Sequence, residues 1–563
     1  MQFYKEIASL LKDKVPLAEE EIEAIIEVPK ETNMGDYAFP CFRLAKQFKK
    51  APALIAQDIK NTIEIPSYLS RIEVVGGYIN FFIDRETLAK ETLKEALEHG
   101  ENYGRSDIGK GKTVCIDFSS INIAKPFHIG HLSSTAIGNS LYKIYSYLGY
   151  SCVGINHLGD WGTQFGKLIV AYKKWGVKEE IDKEGISALL KIYVKFHEEA
   201  ENNDTLNDQA RYWFKQLEDG NEEATMLYNW FKKLTLDNAA KVYDLLGVRF
   251  DSYNGEAFYN DKMEPVIKEL EDKKLLVDSK GAKVVMLDDY DLPPCIVLKS
   301  DGATLYSTRD LAAVFYRKNT YGFYKSLYVV AYQQTLHFKQ LFKVVELMGY
   351  SWAKDMEHVA FGMVSVEDGT LSTRQGNVIL LEDVLNKAII KTREIIEEKN
   401  PDLANKDIIA KQIGVGAIVF HTLLNGRIKD IQFSFDKVLN FDGETGPYVQ
   451  YTHARCCSVI EKAGDIDAQP DYNALLDDEA QNLLKYIASF KDAVIEAHEK
   501  NEPFMVTRQI IEVAKAYNKF YFANRIITDD KAVTKARLDL TLATKNTIKI
   551  GLSLLGIEAP EKM

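Results

Sequence analysis

The hydrophobic pattern changes character three times along the chain. At the start, Phe3, Ile7, Leu10 and Leu11 recur at helical spacing between charges, unlike a secretory signal. Up to about residue 105, helical stretches alternate with short strands, and VVGGYINFFID (74–84) predicts a strand pair hinged at Gly76 and Gly77. From Thr113, the alternation of Val114, Ile116 and Phe118 with less apolar neighbours predicts a strand, followed by the loop SSINIAKPF. Ile129, Leu132, Ala136, Ile137, Leu141, Ile144, Tyr145 and Leu148 then mark one face of a helix stopping at Gly149, and SCVGIN (151–156) is the next strand. Right-handed crossover makes the two strands of such a unit parallel neighbours in one sheet.

Between about 170 and 290 the pattern turns helical and polar, which predicts an insertion. Strand-like stretches return with PPCIVLK (293–299), SLYVVAY (326–332) and HVAFGMV (358–364), and from about 380 helical periodicity dominates. The expected architecture is α/β. An N-terminal α/β domain spans 1–108, and a Rossmann-like parallel-sheet domain spans 109–375 with its helical insertion at about 170–290. A helical stem follows at 376–440, then an all-helical domain at 441–563.

Composition narrows the function classes. A chain of 563 residues exceeds one hydrophobic core, and 46% hydrophobic with 27% charged residues is ordinary for a globular protein. No run of about 18 apolar residues predicts a membrane span. The six cysteines form no C-x-x-C pair, which points to reduced thiols and a cytoplasmic location. With 70 Lys plus Arg against 82 Asp plus Glu, the net charge of −12 argues mildly against a nucleic-acid partner unless one face is locally basic.

The candidate chemistry begins at His128-Ile129-Gly130-His131, where the first strand of the parallel unit gives way to its helix. Ligands of open parallel sheets bind outside the carboxyl ends of the strands, and a helix N-terminus offers free N–H groups to phosphate. A structural histidine pair is the plainer alternative; flanking Lys125 and Pro126 in a strand–loop–helix context favour the phosphate site. A zinc site built from His128, His131, His157 and Asp160 lacks both an H-E-x-x-H and cysteine ligand spacing, so no tightly bound metal is expected. A P-loop also fails: both registers around Gly111-Lys112-Thr113 miss by one residue.

The string SSINIAKPFHIGH together with NHLGDWGTQFG (156–166) resembles the class I aminoacyl-tRNA synthetases, specifically the arginyl family. GATLYSTRDLAA (302–313), AYQQTLHFKQLF (331–342) and GETGPYVQYTHARCCSVI (443–460) are similar to further blocks of that family, in family order. The resemblance implies a class I synthetase catalytic domain and a helical anticodon-binding domain, acting on L-arginine, ATP with Mg2+, and tRNA(Arg), in a monomer. It assigns the substrate guanidinium to Tyr306 and Asp310, with Asp117, often Glu in relatives, as another acidic contact. It assigns the α-amino group to Asn122 and Gln334, assisted by Ser120. A forked carboxylate partner suits a planar guanidinium.

On the ATP side, the resemblance places His128, Gly130 and His131 under the phosphates and Gly159, Asp160 and Gly162 beside the nucleotide. The second class I signature, KMSKS, is degenerate: it maps onto 370–374, where Ser372 remains, both lysines are gone, and Arg374, at the last position, is a further contributing cation. Lys125 fits the substitute cation of arginyl enzymes with this loss. For tRNA, the resemblance implies Tyr78 and Asn80 as base readers, an aromatic that stacks beside an amide that hydrogen-bonds. It also implies Tyr448, Tyr451 and Arg455, with Gln450 and His453 between them, at the start of the helical domain, unless these brace the catalytic domain. Two other readings stay open, a catalytically silent synthetase-like tRNA-binding protein and a HIGH-type nucleotidyltransferase; a metal hydrolase is more distant.

Overall fold

The computed structural model describes residues 3–29, 34–123, 125, 127–300, 304–366 and 379–563. They form two compact units. One comprises Met1–Gly104, Thr452–Asp492 and Gln509–Ile550; the other comprises Arg105–Tyr451, Ala493–Arg508 and Gly551–Met563.

In the first unit, β1 (Tyr37–Pro40), β2 (Leu69–Val75) and β3 (Tyr78–Ile83) form an antiparallel sheet with β3 central. The hinge between β2 and β3 needs both of its glycines. Gly76 has φ +59°, and a Cβ on Gly77 would lie 2.8 Å from the Phe42 ring. The helix Arg85–His99 follows directly, capped by Asp84, whose carboxylate accepts the Thr87 N–H at 2.9 Å. Helix Asp478–Ala488 packs beside it. Arg85 pairs with Asp478 at 2.7 Å, and Lys485 reaches Asp36 at 2.5 Å. The N-terminal sheet and much of the C-terminal helical segment thus share one packed body.

The second unit is built on a parallel sheet of β4 (Thr113–Asp117), β5 (Ser151–Ile155), β9 (Lys325–Tyr328) and β10 (Met356–His358), in the order β10-β9-β4-β5. The expected strand–helix–strand unit is present: β4, helix Leu132–Tyr147 and β5, with the strands as parallel neighbours. All eight apolar positions of the anticipated helix face are buried, but so are Ser133, Thr135, Asn139 and Ser140. The helix is enclosed on nearly every side, and Ser140 Oγ donates to the Leu554 carbonyl at 2.9 Å. Chain connections leave β4 toward β5 on one side and reach β9 on the other, which makes the β4/β9 boundary the topological switch point.

The insertion differs from its expected pattern. Helices Thr163–Trp175, Ile186–Ala200, Asp204–Glu218 and Glu222–Leu246 fill most of it, but β6 (Leu276–Ser279) and β7 (Ala282–Val285) lie inside the stretch read as helical. Lys280 and Gly281 both have positive φ, 51° and 84°, the backbone that a two-residue hairpin turn requires. Four-residue strands carrying an exposed Asp278 and a half-buried Lys283 give too short an alternation to stand out from a polar helix. PPCIVLK contains the strand β8 (Cys295–Leu298), which pairs with β7 and not with the parallel sheet. HVAFGMV is divided between β10 and β11 (Val364–Val366), which pairs with β12 (Ile431–Phe433). Among the described residues, no helix is long and apolar enough to cross a membrane.

Helix Leu132–Tyr147 rests on the segment leaving β4 through Gly138, where a Cβ would fall 2.2 Å from Phe118 Cγ and 2.3 Å from its Cβ. Gly138→Ala is therefore expected to overpack this contact at a cost of about 1–3 kcal/mol, against any gain in helix propensity. Thermal unfolding of the purified variant would show a lowered midpoint; an unchanged or raised midpoint would contradict this packing.

Candidate active site

A cleft of about 680 Å3 opens at the carboxyl ends of β4, β5 and β9. Its wall is one helix face. In Tyr306–Tyr321, the residues Tyr306, Asp310, Ala313 and Arg317 follow at i, i+4, i+7 and i+11, and all four line the cleft. Opposite them stand Asp117 at the end of β4, His157 just past β5, and Gln334 and His337 just past β9.

Asp310 Oδ2 accepts from His337 Nε2 at 2.7 Å, and His157 Nε2 lies 3.6 Å from Oδ1. Burial acts to raise the Asp310 carboxyl, but the hydrogen bond from His337, reinforced by the charges of His337, His157 and Arg317, leaves it below its ordinary value. Asp310 is thus an anion facing the cleft. Tyr306 packs on His337 with ring centroids 4.9 Å apart and exposes more than half its surface.

Asp117 is placed differently from expectation. Arg317, only 1% exposed, donates from Nη2 to Asp117 Oδ2 at 2.7 Å, and the Ser120 hydroxyl donates to Oδ1 at 2.7 Å. The carboxylate that the resemblance offers to the substrate is already met by a cation of the chain itself. Asp160 also differs. It is fully buried, with Oδ1 accepting the Ala257 N–H at 2.8 Å and Oδ2 bound by Lys232 at 2.6 Å and Tyr228 at 3.2 Å. It braces the loop after β5 rather than facing the cleft.

The loop after β4 carries its own constraint: Ser119 and Ser120 have φ of 69° and 32°. Asn122 then bridges to Gly159, where a Cβ would lie 2.2 Å from Asn122 Oδ1 and displace that side-chain amide. Gly162 has φ +137°, again a glycine conformation, at the start of helix Thr163–Trp175. Ser120, Asn122, Gly159 and Gln334 all line the cleft.

His128-Ile129-Gly130-His131 forms the tight turn that opens helix Leu132–Tyr147, and Gly130 and His131 border the cleft. His128 Nδ1 accepts the Gly130 N–H at 3.1 Å, which leaves its proton on Nε2. Burial, then the neighbouring His128, pushes His131 down to about 3; burial and the Lys125 charge lower His128. Both imidazoles are therefore neutral near pH 7. Lys125 itself is exposed. Ser372 and Arg374 lie outside the described residues.

Comparison with known proteins decides what this cleft belongs to. The sequence model described as "tRNA synthetases class I (R), catalytic domain" matches residues 92–435. "Arginyl tRNA synthetase N terminal domain" matches 1–83, and "DALR anticodon binding domain" matches 449–563. The chain belongs to the arginyl-tRNA synthetase family.

Proteins named arginine–tRNA ligase from Clostridioides difficile and Alkaliphilus metalliredigens are 55% and 53% identical to it, each aligned over the full length of both chains. A solved arginyl-tRNA synthetase from Thermus thermophilus superposes with a TM-score of 0.85 at 26% identity, covering 100% of this chain and 99% of that one. The expected class I architecture, with its parallel sheet and helical C-terminal domain, is therefore shown.

Four residues of this synthetase's cleft escaped the sequence reading. In the sequence His157 stands out only as a candidate metal ligand, and no motif singles out Arg317, His337 or Glu256. The available signal was the helical spacing from Tyr306 through Asp310 to Arg317. Glu256 pairs with Arg309 at 3.2 Å, so Arg309 is not the partner of Asp310. Among the described residues, no group of three or more His, Cys, Asp or Glu is assembled as a metal site.

The residues expected to meet tRNA are scattered. Tyr78 packs edge-on against Phe42 at 5.2 Å and is half-buried, whereas Asn80 is 2% exposed and presents no amide to solvent. Tyr451 is exposed, Tyr448 half-buried, and Gln450 and His453 buried. Gln450 donates to the carbonyls of Gln412 at 3.1 Å and Glu558 at 2.8 Å, a bracing role. Arg455 hydrogen-bonds Asn518 and stands 5.1 Å from the Tyr521 ring and 5.5 Å from the exposed Phe522 ring.

Burial, opposed by Arg309, raises Glu256 from its ordinary 4.5 to about 7. An acid whose folded value is raised binds its proton more tightly in the native state, so its contribution to stability falls as pH rises between those two values. Glu256→Gln is expected to flatten the decline of stability from pH 4.5 to about 7, seen as a smaller difference between urea midpoints at the two ends. Parallel curves for variant and parent would refute it.

Proposed function

We propose that this synthetase activates L-arginine with ATP to arginyl-adenylate and pyrophosphate, then transfers arginine to the 3′-terminal adenosine of tRNA(Arg), with the cleft residues in the roles below. The observation that carries the reading is an ionised Asp310 on the same cleft as the His128–His131 turn, in a chain 55% identical to an arginine–tRNA ligase.

Asp310 receives the guanidinium, with Tyr306 and the Tyr306–His337 stack forming an adjoining wall. Asn122 and Gln334 hold the α-amino end, and Ser120 is tied to Asp117 on the floor. The substrate carboxylate is already ionised and attacks the α-phosphorus in line, so the first step needs no general base. Positioning and charge stabilisation then supply the rate. Neutral His128 and His131 donate N–H groups to phosphate oxygens, Gly159 lies beside the nucleotide, and Lys125, with Arg374, supplies the charge that the missing KMSKS lysines would bring, while Ser372 offers a hydroxyl. Mg2+ carried by ATP would offset part of the phosphate charge. Tyr78, Tyr451 and Arg455 meet the tRNA, and the protein acts as a cytoplasmic monomer.

The direct test is charging of total tRNA with each labelled amino acid in turn. Arginine alone should be incorporated; another amino acid, or none, would overturn the reading. Asp310→Ala should weaken arginine use by an amount on the order of 3–5 kcal/mol, through loss of the partner of a desolvated cation. Near-normal KM for arginine would count against that role. Lys125→Ala should slow adenylate formation by at least about tenfold while tRNA affinity is little changed; an unaltered ATP–pyrophosphate exchange rate would remove Lys125 from the phosphate site.

A further inference from the structure

The floor of the cleft holds an arrangement that the roles above do not use. Arg317 is buried and donates to two acceptors from one nitrogen: Asp117 Oδ2 at 2.7 Å and His157 Nδ1 at 3.2 Å. A guanidinium has no acceptor, so His157 Nδ1 must accept, and its ring proton resides on Nε2. That N–H is buried and without a hydrogen-bond partner, and it stands 3.6 Å from Asp310 Oδ1. From the other side His337 Nε2 donates to Oδ2 at 2.7 Å. His337 is held in turn by the rings of Tyr306 at 4.9 Å and Phe338 at 5.2 Å, and His157 by Tyr259 at 5.6 Å.

We propose that His337 and His157, the latter oriented by Arg317, are positioning residues that present Asp310 as a two-pronged acceptor and thereby set the preference of the cleft for a guanidinium over an ammonium. This deepens the arginine-activating role and rests on it. A carboxylate has about four acceptor directions, two on each oxygen. His337 takes one direction on Oδ2, and His157 flanks Oδ1 at 3.6 Å without bonding it, so each oxygen keeps at least one direction for a ligand. Two parallel open directions fit the two parallel N–H groups of a guanidinium edge. A lysine ammonium is a compact point charge that cannot meet both in the plane.

The experiment uses the full chain with tRNA(Arg) transcript, arginine and ATP. Absence of arginine charging by the unmodified chain would defeat the underlying functional reading before any variant is made. Given charging, His337→Ala should raise KM for arginine about 10- to 100-fold, while KM for ATP stays within about twofold. His337→Gln, which restores an amide donor, should recover most of the loss. His157→Phe keeps a ring but no N–H, and should give the same arginine-specific split at about 3- to 10-fold. In both loss variants, the ratio of ATP–pyrophosphate exchange with arginine to that with lysine should narrow. Should His337→Ala not accumulate as folded protein, His157→Phe carries the comparison. Unchanged arginine KM and unchanged selectivity would overturn the proposal, as would parallel rises for arginine and ATP without recovery in His337→Gln.

Discussion

A charged pair sealed beneath the cleft, Arg317 on Asp117, is the constraint from which the geometry of the site follows. Withdrawing two ions from water is costly, and a buried pair is retained only when its remaining hydrogen-bond capacity is also met. Here it largely is: Ser120 takes the second oxygen of Asp117, and His157 takes a share of Arg317. The pair joins the end of β4 to the helix Tyr306–Tyr321, two segments almost two hundred residues apart. Because helix positions repeat every three to four residues, anchoring Arg317 also aims Asp310 and Tyr306 at the same opening.

The cleft therefore has two halves with opposite electrostatic tasks. The side formed by helix Tyr306–Tyr321 concentrates acids, Asp310 and Glu256, within a wall that already contains cations. The side formed by the His128–His131 turn offers neutral imidazoles and glycine backbone, with no fixed charge of their own. Burial produces this difference from the same residue types found elsewhere on the surface. It lowers His131 to about 3, and it raises Glu256 to about 7. An overall charge of −12 is no obstacle to binding ATP in such a site, because the field at a ligand is set by the groups lining the cleft.

Much of this was legible beforehand. The strand–helix–strand around His128, the hinge at Gly76 and Gly77, and the helical end of the chain each announced themselves through local periodicity or a local backbone requirement. Asp310 and Tyr306 were found through resemblance, and both line the cleft. The hairpin of β6 and β7 was read as helix because its alternation is only four residues long on each side. Asp117 and Asp160 were read as facing ligands, whereas Arg317 and Lys232 occupy them. No pattern along the chain reports that a carboxylate is already spoken for by a cation far away in sequence.

Taken alone, the order of residues determined the strand–helix–strand unit and the C-terminal helices, which turn needs glycine, and which blocks mark an arginyl-tRNA synthetase. These properties depend on neighbours within a few positions, so a linear reading contains them. Which acid stays free, which nitrogen of His157 bears its proton, and how the N-terminal sheet packs with helix Asp478–Ala488 were decided only on folding. Those outcomes depend on desolvation and on partners brought together from distant segments, and burial is a property of the assembled chain.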